Sequence, residues 1–301
     1  PRDGGPEEIL LDGDARAAGK AYFRLSGVAH SPDHRRIAWG ADENGSEYFT
    51  LRVRDLAEGR DLDDTIAATG GEAVWSADGD HIFYVRLDDN HRPSKVFLHR
   101  LGTPAEDDLL VYEEADPGFF VGIGKTLSGR FVVISVHDHE TAEAHLIDAD
   151  DPTAPPRLVA PRVTAEQYEV EHAGDRLFLL TNSDGAEDFR IVTAPVAAPG
   201  RENWVELVPH RPGRLILSLA VHRDHMVRLE RVEGLPRIVV HRLADGAEHA
   251  IAFDEEAYSL GLAGSLEFAT TEIRFTYSSM TTPTRVYDYD MESRARTLRK
   301  E

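Results

Sequence analysis

An apolar strand that follows a turn returns six times along the chain at nearly constant spacing, and this repeat limits the fold more than any single residue. The strands read Ile37-Ala38-Trp39, Ile82-Phe83-Tyr84, Val132-Val133-Ile134, Leu177-Phe178-Leu179, Met226-Val227-Arg228-Leu229 and Ile273-Arg274-Phe275. Taking the first residue of each as a mark gives separations of 45, 50, 45, 49 and 47 residues. That is the period of one four-stranded blade of a β-propeller. A single twisted sheet of four strands has two apolar faces and buries both only by stacking on neighbours.

Each unit divides in the same way, most clearly the second. Ala73-Val74-Trp75 is followed by a turn at Ser76 to Asp80, then by His81 to Arg86, Lys95 to Arg100 and Leu109 to Tyr112. Turn-forming residues recur at Ser31-Pro32-Asp33, Ser128-Gly129, Gly174-Asp175 and Asp245-Gly246. Outermost strands are expected at Leu109 to Tyr112, Arg157 to Val159, Trp204 to Val208, Ala250 to Phe253 and Arg296 to Arg299. The alanine-rich stretch Asp14 to Lys20 carries the one expected helical turn. Glu7 to Leu11 reads as one further outermost strand, beyond what six units need. The expected fold is therefore all-β: a seven-bladed propeller of four-stranded antiparallel blades, with six blades essentially complete and one represented by a single strand. Residues 1–26 would hold that last strand of a truncated first blade and a connection, and 27–301 the six blades.

With 301 residues, 41% of them hydrophobic, the chain suffices for one large all-β domain. Its 54 acidic against 33 basic residues give a net charge of -21, which repels phosphate backbones and anionic lipid, so nucleic acid and membrane are not expected partners. No apolar run approaches the roughly 20 residues of a membrane span. Pro1-Arg2-Asp3-Gly4-Gly5 has neither the charged nor the apolar part of a signal peptide. The absence of cysteine removes thiolate chemistry and fits a reducing, cytoplasmic setting.

The motifs that carry chemistry are sparse. A serine nucleophile of the α/β-hydrolase type needs the strained elbow Gly-x-Ser-x-Gly, and neither Ser128 nor Ser265 has glycines on both sides at that spacing. Gly124-Lys125-Thr126 ends like a phosphate loop, but Phe119 stands where its first glycine belongs, and the segment reads as an inner strand. His137-Asp138-His139-Glu140 gathers four metal-ligand types, yet it closes a strand and enters a turn, where polar residues are expected anyway. Asn44-Gly45-Ser46 matches a glycosylation sequon and reads as a turn. The acidic stretches Asp61 to Asp64, Asp88-Asp89, Glu113 to Asp116 and Asp148 to Asp151 are expected as solvated loops and blade ends. No catalytic residue, metal or cofactor is assigned.

Several stretches resemble the propeller of the prolyl oligopeptidase family, in its oligopeptidase B (protease II) branch. They are Pro6 to Asp12, Gly45 to Leu56, Leu110 to Glu114, Asp148 to Pro152, Ile251 to Glu255, and Tyr277-Ser278-Ser279-Met280-Thr281-Thr282-Pro283 leading to Tyr287-Asp288-Tyr289-Asp290. The resemblance implies a lid over an α/β-hydrolase domain, absent from this segment, whose Ser-Asp-His triad cleaves short, basic peptides after Arg or Lys. It makes that catalytic domain the expected partner and leaves the segment inactive alone. Within the family-like Gly45-to-Leu56 stretch, Glu47 and Arg52 are the candidate interdomain or substrate-route contacts. The competing expectation is a stand-alone propeller that binds a protein or peptide without catalysis.

Overall fold

The structure is a computed structural model and describes residues 6–301, so Pro1 to Gly5 lie outside the described residues. After a short helix, α1 (Gly13–Ala17), whose first turn is capped by the Asp12 carboxylate, all regular structure except two single 3₁₀ turns is antiparallel β. The first sheet has seven strands in sequence order: β1 (Arg24–His30), β2 (Arg36–Asp42), β3 (Phe49–Asp55), β4 (Arg60–Trp75), β5 (His81–Leu87), β6 (Pro93–Arg100) and β7 (Leu109–Glu113). Four sheets of four follow: β8 (Phe120–Lys125), β9 (Phe131–His137), β10 (Ala142–Asp148) and β11 (Arg157–Leu158), then β12 (Tyr168–Ala173), β13 (Arg176–Thr181), β14 (Arg190–Pro195) and β15 (Val205–Val208). The last two are β16 (Arg214–Val221), β17 (His225–Val232), β18 (Leu235–Arg242) and β19 (Glu248–Ala250), and β20 (Tyr258–Leu262), β21 (Glu272–Ser279), β22 (Arg285–Asp290) and β23 (Arg296–Lys300).

The seven-stranded sheet is two blades joined through β4, which is the outermost strand of the first and the innermost of the second. Its 16 residues turn a corner where the register shifts between Thr69 and Ala73. Gly71 makes that corner: its φ is +90°, and a Cβ there would stand 2.6 Å from Ser26 Oγ and 2.8 Å from Phe49 Cγ. Counted this way, the described residues form six four-stranded units, with β4 shared by the first two.

Side-chain alternation explains how blades stack. In β13, Leu177 and Leu179 pack with Leu146, Tyr168 and Val192, whereas Phe178 and Leu180 pack on the opposite side with Val221 and Met226. In β17, Val227 faces Ile238, Phe275 and Tyr277, while Met226 faces the preceding blade. In the first sheet, Ala38, Leu51 and Ile66 of one blade meet Trp75, Ile82 and Tyr84 of the next. By contacts the described residues form two compact units, the residues up to Gly124 with Ile134–Asp138 and Ile147–Pro156, and Lys125–Val133 with His139–Leu146 and Arg157–Glu301.

Two expected strands are corrected. Glu7 to Leu11 is not a strand: it pairs with none of the sheets. Instead Leu10 and Leu11 cover the Ile37, Trp39 and Ala41 face of the first blade, and the Leu10 carbonyl accepts from Arg54 Nε at 3.1 Å. The outermost strand placed at Ala250 to Phe253 lies earlier, at Glu248–Ala250, because Ile251 turns into the core and Phe253 leaves the sheet to stack on Tyr277 at 5.0 Å. The seventh blade, which rested on Glu7 to Leu11, therefore has no strand of its own among the described residues.

Candidate functional site

The connections between second and third strands are built on carboxylates. Asp42, at the end of β2, is buried and accepts from the amides of Asn44 (2.9 Å), Gly45 (3.0 Å) and Glu47 (2.8 Å), and from Ser46 Oγ at 3.3 Å. Burial would raise its pKa, but these donors together hold the carboxyl below its ordinary value. They also hold Glu47 at φ +62°, a left-handed conformation uncommon for a residue with a long side chain. One blade later, Asp88 accepts from the amides of Asn90 (2.8 Å) and Arg92 (3.0 Å) and from Arg92 Nε. The two loops are tied together. Tyr48 donates its hydroxyl to the Asp88 carbonyl at 2.8 Å, His91 Nε2 donates to the Ser46 carbonyl at 2.8 Å, and the Tyr48 and His91 rings lie 4.1 Å apart. Arg92 then reaches the carbonyls of Asp116 (2.9 Å) and Phe119 (3.0 Å), fixing the passage into β8.

On this rigid ground the structure places the two residues singled out by sequence. Glu47 is exposed at the loop tip. Arg52 lies within β3, its guanidinium 5.4 Å from the centre of the Trp39 ring, with Arg16 at 4.9 Å from the same ring. The ion-pair partner of Arg52 is Glu43 at 3.7 Å, so the fold does not pair Arg52 with Glu47.

The turn after β8 contains a hydroxyl–imidazole pair that the sequence did not reveal: Ser128 Oγ and His172 Nδ1 are 2.8 Å apart. His172 Nε2 lies 3.0 Å from the Gly174 carbonyl and must donate to it, so Nδ1 accepts from the serine. Burial lowers the pKa of this histidine. The pair nonetheless lacks the rest of an acyl-transfer site, because the amides that would stabilise an oxyanion are spent. Leu127 N donates to Glu171 (3.1 Å), Gly129 N to the Thr126 carbonyl (2.8 Å) and Arg130 N to Ser128 Oγ itself (3.3 Å). The pair instead ties this turn to β12. Glu171, with burial as the main cause and Glu169 nearby, has its pKa pushed up to about 7.

Ser265 lies in the β20–β21 connection, Gly124 in β8, and His137 ends β9 with its ring 6.3 Å from that of Phe120. No group of three or more potential metal ligands is gathered among the described residues. The acidic stretches are less solvated than expected. Asp61 receives Arg16 and Arg54, and Asp64 is buried with its Oδ1 3.0 Å from His99 Nε2. Glu114 is buried and accepts from Asp116 N at 2.8 Å. One sequence signal foreshadows these braces: Asp42, Asp88, Asp138 and Asp184 follow the second strands at separations of 46, 50 and 46.

Stacked four-stranded antiparallel blades with tight, braced turns and no nucleophile elbow define a β-propeller domain. The family model "Prolyl oligopeptidase, N-terminal beta-propeller domain" matches residues 1–301, and the chain belongs to that family. It is 37% identical to dipeptidyl aminopeptidase BI of Pseudoxanthomonas mexicana, covering 98% of this chain and 41% of the relative. It is 31% identical to protease 2 of Moraxella lacunata, covering 95% and 41%. Among solved structures, oligopeptidase B from Leishmania major superposes with a TM-score of 0.91 at 29% identity, over 97% of this chain and 42% of that one. Oligopeptidase B from Trypanosoma brucei, closed with covalently bound antipain, gives 0.90 at 32%, over 98% and 43%. The chain thus spans about two-fifths of the length of these relatives. No helix among the described residues is long and apolar enough to cross a membrane.

Proposed function

We propose that this propeller serves as the lid of a cytoplasmic serine oligopeptidase that hydrolyses short peptides after Arg or Lys. The observation that carries the reading is the near end-to-end match to two peptidases of more than twice this length, in a chain whose own sequence has no Gly-x-Ser-x-Gly elbow. The lid acts by exclusion. A stack of blades admits an extended peptide and turns away a folded protein, while an α/β-hydrolase domain docked on it supplies serine, aspartate and histidine. In that assembly the strands from β1 onward form the blades, and the segment before β1, with Leu10 and Leu11 laid on the first of them, leads into it. Glu47 and Arg52 are the proposed interdomain or substrate-route contacts. The exposed Glu47 carboxylate on its braced loop suits an ion pair, and Arg52, committed to Trp39 and Glu43, is the less available.

The test is hydrolysis of arginyl chromogenic peptides with free and with blocked amino termini. The full-length protein should cleave both and the 301-residue chain neither. Cleavage restricted to dipeptides with a free amino terminus would favour the second reading, a dipeptidyl aminopeptidase, which the 37% relative supports by name. A full-length protein inert towards every peptide would leave the binding module. Glu47→Ala should reduce kcat/KM without changing the stability of the isolated propeller.

A further inference from the structure

The connection between β20 and β21, residues 263–271, is the long one of its kind. The other first hairpins of the blades turn in five residues (31–35, 76–80, 126–130), two (174–175) or three (222–224). The extra length is laid over the neighbouring blade. Arg223 N donates to the Phe268 carbonyl at 3.1 Å, and the Phe268 ring packs with Phe178, Val221 and Met226. Leu266 is left 97% exposed at the tip. Beneath this strap His222 is fully buried, with its Nδ1 3.3 Å from the Glu267 carbonyl. A carbonyl only accepts, so Nδ1 carries the proton and Nε2 is left deprotonated, buried and without a hydrogen-bond partner among the described residues.

A second proton on His222 would have to enter at Nε2, which is buried and has no hydrogen-bond partner among the described residues. The charged and titratable groups around it are Arg223, Asp224 and His225 of its own turn, Glu267 of the strap, Arg242 and Asp245 from the β18–β19 turn, and Glu292 from the β22–β23 turn. His249 of β19 lies beyond, sensing His225 and Arg242. The acids of these turns are already taken: Asp224 by Arg223 at 3.0 Å, Asp245 by Arg242 at 3.2 Å, and Glu292 by both Arg242 and His225. The same turns line an open pocket of about 440 Å³ floored by Phe178, Ala173 and Leu243.

We propose that the 263–271 strap is a pH-sensitive latch: protonation of His222 lifts it from the neighbouring blade, baring the apolar seat of Phe268. Burial lowers the pKa of His222 while the strap is closed, and the backbone of Glu267 and Phe268 only partly offsets this. In the open strap the imidazole meets water and titrates near the ordinary value of about 6.5. The open form therefore binds the extra proton, and opening is favoured as pH falls below that value. Linkage of one proton makes the gain at most about tenfold per pH unit.

Hydrogen exchange in the intact protein, corrected for intrinsic rates and followed in peptides spanning 263–271 between pH 7.5 and 5, tests this. Wild-type strap amides should lose up to about tenfold protection per pH unit below 6.5, while β13 and β17 stay protected. His222→Asn, which keeps a donor for the Glu267 carbonyl but does not titrate, should hold the strap equally at both ends of the range, and His225→Asn should still respond. A wild-type strap as protected at pH 5 as at 7.5, loss shared equally with β17, or a pH response that survives in His222→Asn overturns the proposal. Should His222→Asn fail to fold, the wild-type series with its β17 control decides alone.

Discussion

Glu171 and His99 are both polar groups set into apolar sheets, the first beside another acid and the second between two. Glu171 accepts amides from Leu127 and His172, but burial and the neighbouring Glu169 keep its pKa near 7 rather than in the usual carboxylate range. The folded state thus holds a proton that the unfolded chain releases, so its stability is highest below about pH 4.5 for this group and is lost as pH rises through 7. At 1.36 kcal/mol per pH unit the cost above pH 7 is on the order of 3 kcal/mol. Glu171→Gln should therefore raise the unfolding midpoint at pH 8.5 and leave it unchanged at pH 3.5, below both values, read by thermal melts at the two. His99 is held by geometry: its two ring nitrogens lie 3.0 Å from Asp64 and 2.7 Å from Asp108, all three side chains are buried, and Tyr84 donates its hydroxyl to Asp108 at 2.8 Å. Asp64 comes from one blade and Asp108 from the next, so the histidine clasps the two. Removing it in His99→Ala strands two buried carboxylates, and denaturant titration should show a loss of roughly 3–5 kcal/mol. Arg60→Ala, whose exposed partner is Glu58, should change stability by less than about 1 kcal/mol.

At the scale of strands and turns, the same backbone conformation has different consequences at different places. Gly71 and Gly174 both sit at positive φ, +90° and +64°, but a Cβ at Gly174 meets nothing within 4 Å while one at Gly71 strikes Ser26 and Phe49. Gly174→Ala should cost about 1 kcal/mol, the strain of a left-handed alanine. Gly71→Ala should cost distinctly more and reduce the cooperativity of unfolding, because it breaks the corner through which β4 joins two blades; parallel denaturant titrations of the two variants check the difference. The repeat made strands and hairpins readable because period-two alternation and turn residues act locally. Ser31, Ser76 and Thr126 each occupy the first position of a five-residue turn and accept the amide five residues on, so one motif recurs with one geometry. Glu7 to Leu11 looked identical to a strand, since its pattern is local, but a strand exists only where an edge accepts it. The Ser128–His172 pair was unreadable for a related reason: the partners are 44 residues apart and meet only because adjacent blades stack. Glu47 was found through family-like residues, whereas its brace, Asp42, lay outside the stretch that drew attention.

Across the whole chain the surplus of acid is the property no single contact explains, and it bears on the peptides a lid would admit. Many carboxylates are internally committed, among them Glu248, whose pKa is held down to about 2 by its bond to His241 and by Arg228. Pairing does not erase the excess: -21 over 301 residues leaves a negative field outside the molecule. Such a field raises the encounter rate of cationic peptides and is screened over a Debye length of about 8 Å at physiological ionic strength. If peptide entry past the propeller contributes to the rate, kcat/KM of the full-length protein for a peptide with two arginines should fall steeply between about 20 and 500 mM salt, where the Debye length shrinks from roughly 20 Å to about 4 Å. A peptide of equal length with one arginine at the cleavage site should respond less, because that residue is present in both and only the second charge differs. Equal salt dependence for the two would mean that the acidic surface maintains solubility alone, and that any preference for basic residues arises where the chemistry is done rather than at the lid.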